Sequence, residues 1–315
     1  MESKNKRSRT ETFFSVLKNI FIVLLFLQFA PMILSSLKNS IKDSLVAKTH
    51  VGYLTINGVI DDSAYYVKKI DEFYKDPDIK ALLIKINSPG GYTGSSQIIF
   101  NELKRFKKEK PVVALIENVG ASGAYYVALA AHSIIASPIS LVGSIGIFME
   151  LPNVKELLGS WKVSYRYVQS GTYKTVGSMV KDVSNAELAY LQNMSDDQYN
   201  YFIKDVAACR NLVLKDHKTW ADGKAFTGNQ ALKLKLIDKL GSFSDALEEV
   251  KRLAKIKDEI KLIQPKKPSG FMRLFAGDDE TGYDQMSLAG KVAWFLKDVT
   301  AQFSAQQQCS QPSMS

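Results

Sequence analysis

The chain has 315 residues, 46% of them hydrophobic and 23% charged, which excludes a low-complexity or intrinsically disordered polymer and allows a sizeable core. Its formal net charge of +9 is spread along the chain, with part of the excess in an N-terminal leader, and fits a membrane-facing protein better than a nucleic-acid binder. Two cysteines one hundred residues apart, Cys209 and Cys309, exclude a disulfide framework; His50, His132 and His217 are isolated and no Cys-x-x-Cys or His-Glu-x-x-His spacing occurs, so no metal and no organic cofactor is expected.

Residues 1–18 form the basic leader, with Lys4, Lys6, Arg7, Arg9 and Lys18. Residues 19–37 are uncharged and dominated by Ile, Phe, Leu and Val, long enough to cross a bilayer once as a helix. Positive charge ahead of that stretch and little just after it orients the N-terminus to the cytoplasm and the remainder outside. A cleaved signal peptide would have a shorter apolar region and a small-x-small site, which Pro31-Met32-Ile33-Leu34-Ser35-Ser36 offers poorly, so the stretch is read as an uncleaved anchor. Residues 38–49 read as a linker, 50–263 as the catalytic domain and 264–315 as an extension: a linker-like 264–270, an amphipathic helix over 286–299 and a loose tail over 306–315.

Within the domain, residues 51–60 alternate like a strand, and 61–73 have helical spacing up to the breaker Asp76-Pro77-Asp78. Residues 81–86 read as a buried strand running into Asn87-Ser88-Pro89-Gly90-Gly91, followed by a helix over 96–106 and the basic run 107–110. The unit repeats: strand 111–116, turn 117–121, an alanine-rich helix 122–131, then a short strand 133–136. Strands alternating with helices at this pace predict a layered α/β fold of parallel strands. Further on, the pattern predicts a helix over 154–158, a strand over 163–168 and a long polar helix over 184–208.

Two strand-to-helix turns carry the residues of interest. In a parallel sheet such turns lie at the carboxyl ends of the strands, where ligands bind. Ser122, in Gly120-Ala121-Ser122-Gly123-Ala124, is a candidate nucleophile at a helix start, and the N–H groups of Gly90, Gly91 and Gly123 are candidate donors to an oxyanion. Taken singly, Pro-Gly-Gly reads more readily as a turn and the small-residue run as close helix packing or a cap; their order on successive strand-to-helix turns is what favours chemistry. Lys174 lies 52 positions after Ser122; its neighbours Tyr173, Val176 and Met179 are apolar, and no acid occurs between Glu156 and Asp182. A lysine serves as general base only where its ammonium is disfavoured, and burial away from carboxylates does that; from local sequence alone Lys174 reads rather as a solvated surface lysine, like most lysines of the chain.

Taken together, Asn87-Ser88-Pro89-Gly90-Gly91, the run Gly120 to Ala128, Val142-Gly143-Ser144-Ile145-Gly146 and Gly171-Thr172-Tyr173-Lys174 resemble the signal peptide peptidase A family over roughly residues 50–250. The resemblance implies a membrane-anchored serine peptidase on the fold shared by Clp protease and crotonase, with Ser122 as nucleophile, Lys174 as general base, Ser144 as the hydroxyl that orients the lysine, and the Pro-Gly-Gly turn as the oxyanion-hole segment. Residues 222–232, opening Asp222-Gly223-Lys224, and 236–241 are similar to the family's closing segment, which supports domain integrity and assembly, and are assigned no chemistry. Met179-Val180 stands where the family commonly has Pro-Phe, and Asn211 where a glycine is usual.

The resemblance further implies extended apolar peptides as substrates, signal peptide remnants among them, and a homo-oligomer in which the lysine reaches a neighbouring subunit's serine. It places the protein in a bacterial inner membrane, with the catalytic part on the periplasmic side. Two alternatives share the fold: a crotonase-like enzyme acting on coenzyme A thioesters, which leaves the anchor and Lys174 unexplained, and a catalytically silent membrane scaffold.

Overall fold

The structure, a computed structural model, describes residues 18–20, 27–30 and 48–265. Residues 18–20 and 27–30 are helical, and among the described residues no helix is long and apolar enough to cross a membrane. Most of the expected anchor and of the extension after 263 lies outside the described residues, as does Cys309. Residues 50–256 and 260–265 belong to one compact unit.

The unit is built on an eight-stranded mixed sheet. In chain order its elements are β1 (Lys48–Ile60), α1 (Ala64–Lys75), β2 (Ile79–Gly91), α2 (Thr93–Lys107), β3 (Val112–Ala121), α3 (Gly123–Ala128), β4 (Ser133–Ala136) and β5 (Leu141–Gly143). There follow α4 (Lys155–Ser160), α5 (Asn185–Arg210), a 3-10 turn (Leu214–Thr219), β6 (Ala225–Thr227), α6 (Gly228–Lys233), β7 (Lys239–Leu240), α7 (Phe243–Ala254) and β8 (Glu259–Ile263). The strand order is β6-β5-β3-β2-β1-β8, with β4 paired to β3 and β7 to β4. The β1/β2, β2/β3, β3/β4, β3/β5 and β4/β7 pairs are parallel, as the strand–helix alternation predicts, and β6 runs antiparallel to β5.

Both faces of the central strands are buried, which is why 81–86 reads as a nearly unbroken apolar run. Leu82, Ile84 and Ile86 face Ile70 and Phe73 of α1 and Ile99, Phe100, Leu103 and Phe106 of α2. Ala81 and Leu83 lie on the other face with Val113, Leu115 and Ile135, against Ala246 and Val250 of α7. Each such fully buried aliphatic side chain stabilises the fold by roughly 1.5–3 kcal/mol. Lys85, next on the second face, is half-buried and pairs with Glu117 at 3.2 Å.

β3 changes partner along its length. Its first half, Val113 to Ile116, pairs with β4; its second half, Val119 to Ala121, pairs with β5. The switch is a register irregularity: Ile86 is opposite Ile116, but Ser88 is opposite Gly120, so β3 carries two extra residues there. Residues 87–91 and 117–121, expected as turns, therefore continue as strand, because each finds a parallel neighbour. The predicted strand over 163–168 is not formed; those residues are exposed and no ladder partner reaches them, which a strand requires. The helix expected over 154–158 is α4, and the short strands β5 to β8 carry too few residues for a periodicity to show.

α5 is capped at both ends. Ser184 and Glu187 form a reciprocal capping box at its start, and Asn211 ends it in the left-handed conformation, φ 51°, which asparagine adopts at smaller cost than other non-glycine residues. Lys181, seven residues after Lys174, binds Glu187, so the lysine-bearing segment is tied to this helix. The Lys181 ammonium, with the N–H and hydroxyl of Ser184, lowers the Glu187 pKa from 4.5 to about 2. A depressed carboxylate contributes stability that is present above its unfolded pKa and lost as pH falls through the folded one. The gap in urea-unfolding stability between the wild type and Glu187→Gln is therefore expected to narrow from pH 5 to pH 2; a gap constant over that range would contradict this.

Candidate active site

The sheet delivers four candidate residues to one edge. Val59 is opposite Gly90 and Ile60 opposite Gly91 across β1 and β2, while Ala121 is opposite Gly143 across β3 and β5. The next residue on each of the latter strands is a serine, so Ser122 and Ser144 leave the sheet side by side, about 5 Å apart at neighbouring-strand spacing. Both are half-buried and both have left-handed φ, 52° and 48°. Serine pays for that conformation in steric strain, and such strain concentrates at functional sites.

The Ser122 turn is held from three directions. Its N–H donates to Gly143 O at 2.7 Å, and its carbonyl accepts from Tyr126 N–H at 3.0 Å to open α3. Tyr125 is fully buried and donates to Leu236 O at 2.7 Å. Tyr126 lies between Phe100, with ring centroids 4.7 Å apart, and Phe202, at 4.9 Å, and its hydroxyl donates to Asp205. Burial, and then the Asp205 carboxylate, push the Tyr126 phenol pKa well up, so it stays a donor. α3 is only six residues long, against the ten expected, so what it presents at Ser122 is the free N–H groups of a first turn rather than a long dipole.

Gly90 and Gly91 pass directly beside this turn. Gly90 has φ +103°, and a Cβ there would lie 2.7 Å from Gly123 N, 2.8 Å from Ala121 O and 2.9 Å from the Ser122 Cβ, so glycine is required on backbone and on space. Its N–H donates to Ser88 Oγ at 3.1 Å, which leaves Gly91 and Gly123 as the uncommitted donors of the three. The position of a Cβ on Gly123 is 3.3 Å from Gly91 N, so these two N–H groups border the same space.

Ser144 is fixed by a segment the sequence marked without assigning it chemistry. Its N–H donates to Lys224 O at 2.9 Å and its hydroxyl donates to Gly223 O at 3.2 Å. Lys174 is the remaining candidate. It is exposed, in a series of turns after Gly171, and its Nζ makes no hydrogen bond or ion pair among the described residues. Tyr173 stacks on Tyr190 of α5 at 5.0 Å, but Tyr173 and Met179 are each 46% exposed. The desolvated setting expected for the lysine is thus not supplied among the described residues.

Among the described residues no three His, Cys, Asp or Glu side chains are grouped to hold a metal ion. His132 is engaged structurally, its Nδ1 accepting from Val112 N–H at 3.1 Å, with burial and then Lys107 pushing its pKa down.

The model of peptidase family S49 matches residues 104–257, a span that includes Ser122, Ser144 and Lys174. A candidate protease of Synechocystis sp. is 37% identical over 218 residues, covering 68% of this chain and 79% of the relative. A candidate signal peptide peptidase SppA of Enterococcus faecium is 29% identical over 239 residues, 71% of this chain and 70% of the relative. Protease 4 of Salmonella typhi is 36% identical over 183 residues, 58% of this chain but 29% of that much longer protein. With the strand-end serines already in place, these similarities settle the assignment: the chain belongs to peptidase family S49 and is a serine protease.

Proposed function

We propose that the protein is a membrane-anchored endopeptidase, on the layered fold of Clp protease and crotonase, with Ser122 as nucleophile and Lys174 of a neighbouring subunit as general base. The observation that carries this reading is the β3/β5 register, which sets Ser122 beside Ser144 at the strand ends, with Gly90 and Gly91 adjoining. Two hydroxyls side by side make a cradle for one amine: Ser144 accepts an N–H of Lys174, and the amine lone pair accepts the Ser122 proton.

The reaction then follows from the residues present. Ser122 Oγ attacks the scissile carbonyl carbon while Lys174 Nζ takes the hydroxyl proton. The oxyanion sits against the N–H groups of Gly91 and Gly123. Collapse breaks the C–N bond, the lysine gives its proton to the leaving amine, and an acyl ester on Ser122 remains. Water, deprotonated by the same amine, attacks the ester, and the proton returns to Ser122 as the acid product leaves.

Assembly is supported by what the single chain leaves open. Residues 148–182 carry Phe148, 79% exposed, and Trp161, 66% exposed, along with Leu157, Val163, Tyr165 and Tyr167, an apolar arm without cover. A neighbouring subunit packed on this arm would bury it and supply Lys174 with the desolvation it lacks among the described residues. Anchoring is supported by residues 19–37 and the positive leader before them, with the catalytic part on the periplasmic side of a bacterial inner membrane. Exposed Val59 and Tyr92 beside Gly90 and Gly91 suit extended apolar peptides, signal peptide remnants included. The thioester enzyme shares the glycine turns but leaves the anchor and Lys174 without a role, and a silent scaffold has no need of Ser122 and Lys174.

In the assembled protein, a serine-directed acylating reagent is expected to label Ser122 and no other serine. Ser122→Ala and Lys174→Ala are each expected to lower kcat/KM for a fluorogenic apolar peptide by on the order of 10³-fold or more. Mixed Ser122→Ala and Lys174→Ala subunits should regain activity; unchanged cleavage by either variant alone would overturn the dyad, and no regain on mixing would place both groups in one subunit. Because Ser122 is strained, Ser122→Gly should be more stable than Ser122→Ala by about 1 kcal/mol in chemical denaturation, the scale of a left-handed penalty.

A further inference from the structure

The Asp222-Gly223-Lys224 turn holds Ser144 by two hydrogen bonds and its neighbour Ile145 by a third. Ser144 N–H donates to Lys224 O at 2.9 Å, Gly223 N–H donates to Ile145 O at 3.0 Å, and the Ser144 hydroxyl meets Gly223 O at 3.2 Å. A carbonyl cannot donate, so in the last contact the hydroxyl must. A serine hydroxyl has one proton and two lone pairs. With the proton given to Gly223, Ser144 turns only lone pairs toward the space it shares with Ser122.

The polarity of that hydroxyl bears on the chemistry. A freely rotating hydroxyl beside a neutral amine would donate into the amine's lone pair, the one orbital needed to take the proton of Ser122. A hydroxyl whose proton is already committed can only accept from the amine, and so directs the lone pair away from itself, toward Ser122. We propose that the Asp222-Gly223-Lys224 turn is a positioning element of the active site, its Gly223 carbonyl fixing Ser144 as a pure acceptor for the Lys174 amine. This rests on the reading of Ser122, Lys174 and Ser144 given above.

The turn is built for a fixed carbonyl. Asp222 Oδ1 accepts Lys224 N–H at 3.2 Å, and the Asp222 carboxylate pairs with the Lys224 ammonium, which together with that N–H lowers its pKa. Gly223 has φ +87°, a conformation that favours glycine, although a Cβ there would meet nothing within 4 Å. The preceding residue is tied to α5, where Tyr199 OH donates to Ala221 O. On the other side, Cβ atoms at Gly143 and Gly146 would lie 3.2 Å from Phe226 and from Gly223 Cα, so the two segments touch along their length.

A mutant cycle on the assembled enzyme tests the proposal, with kcat and KM measured on a fluorogenic apolar peptide for the wild type, Asp222→Ala, Ser144→Ala and the double variant. In the wild-type background Asp222→Ala is expected to lower kcat about tenfold with KM unchanged, the effect of loosening one hydrogen-bonded group. In the Ser144→Ala background the same change is expected to cost less than about twofold, because the turn then has no hydroxyl to orient. Asp222→Asn, which keeps an acceptor for Lys224 N–H, should recover most of the loss.

An equal loss in both backgrounds, or no loss in the first, would overturn the proposal. Wild-type kcat in Ser144→Ala would instead overturn the underlying reading of Ser144, so the two failures are distinct. Gly223→Ala, which perturbs only the backbone, runs the same cycle and decides the matter if Asp222→Ala does not assemble.

Discussion

The register between β3 and β5 is the constraint on which the rest depends. With Ala121 opposite Gly143, the residues that follow are Ser122 and Ser144, neighbours at the end of the sheet. A slip of one residue would turn either side chain to the other face and separate the hydroxyls. The register is held by the partner change in β3, by the Ser122 N–H on Gly143 O, and by β6, which pairs Gly143 with Ala225 and carries the 222–224 turn up against Ser144. Core, edge strand and turn thus converge on two strained serines.

That strain has to be carried by packing elsewhere. Tyr125 and Tyr126 tie the six-residue α3 to Leu236, Phe100, Phe202 and Asp205, contacts distributed over α2, α5 and the segment after α6. A helix this short would not hold a left-handed residue at its start through its own hydrogen bonds. The long α5 serves twice, gripping α3 through Phe202 and Asp205 and gripping the lysine-bearing segment through Glu187 and Tyr190.

Much of this was legible in the sequence because it rests on local pattern. The run 81–86, the glycine turn after it and the alternation into 96–106 give β2 and α2 directly, and the small-residue run marks the Ser122 turn. Less legible was whatever depends on a distant partner. Residues 117–121 read as a turn because nothing local shows that β5 will pair with them, and 163–168 has the composition of a strand but no neighbour to bond. The hydrogen bonds of Ser144 to residues 223 and 224 span about eighty positions, a link no spacing rule conveys. Likewise the commitment of the Gly90 N–H to Ser88, which narrows the candidate oxyanion donors to Gly91 and Gly123, goes with a left-handed backbone that no local pattern announces.

Of the proposed site, the chain brings Ser122, Ser144, Gly91 and Gly123 together, while Lys174 is exposed among the described residues. In the proposed assembly that amine comes from a neighbouring subunit. The most direct test is an experimental structure of the assembled protein acylated at Ser122. The account predicts the Lys174 amine of an adjoining subunit within hydrogen-bonding distance, about 3 Å, of the Ser144 hydroxyl and the Ser122 oxygen; every Lys174 amine facing bulk solvent, remote from all copies of Ser122, would contradict it.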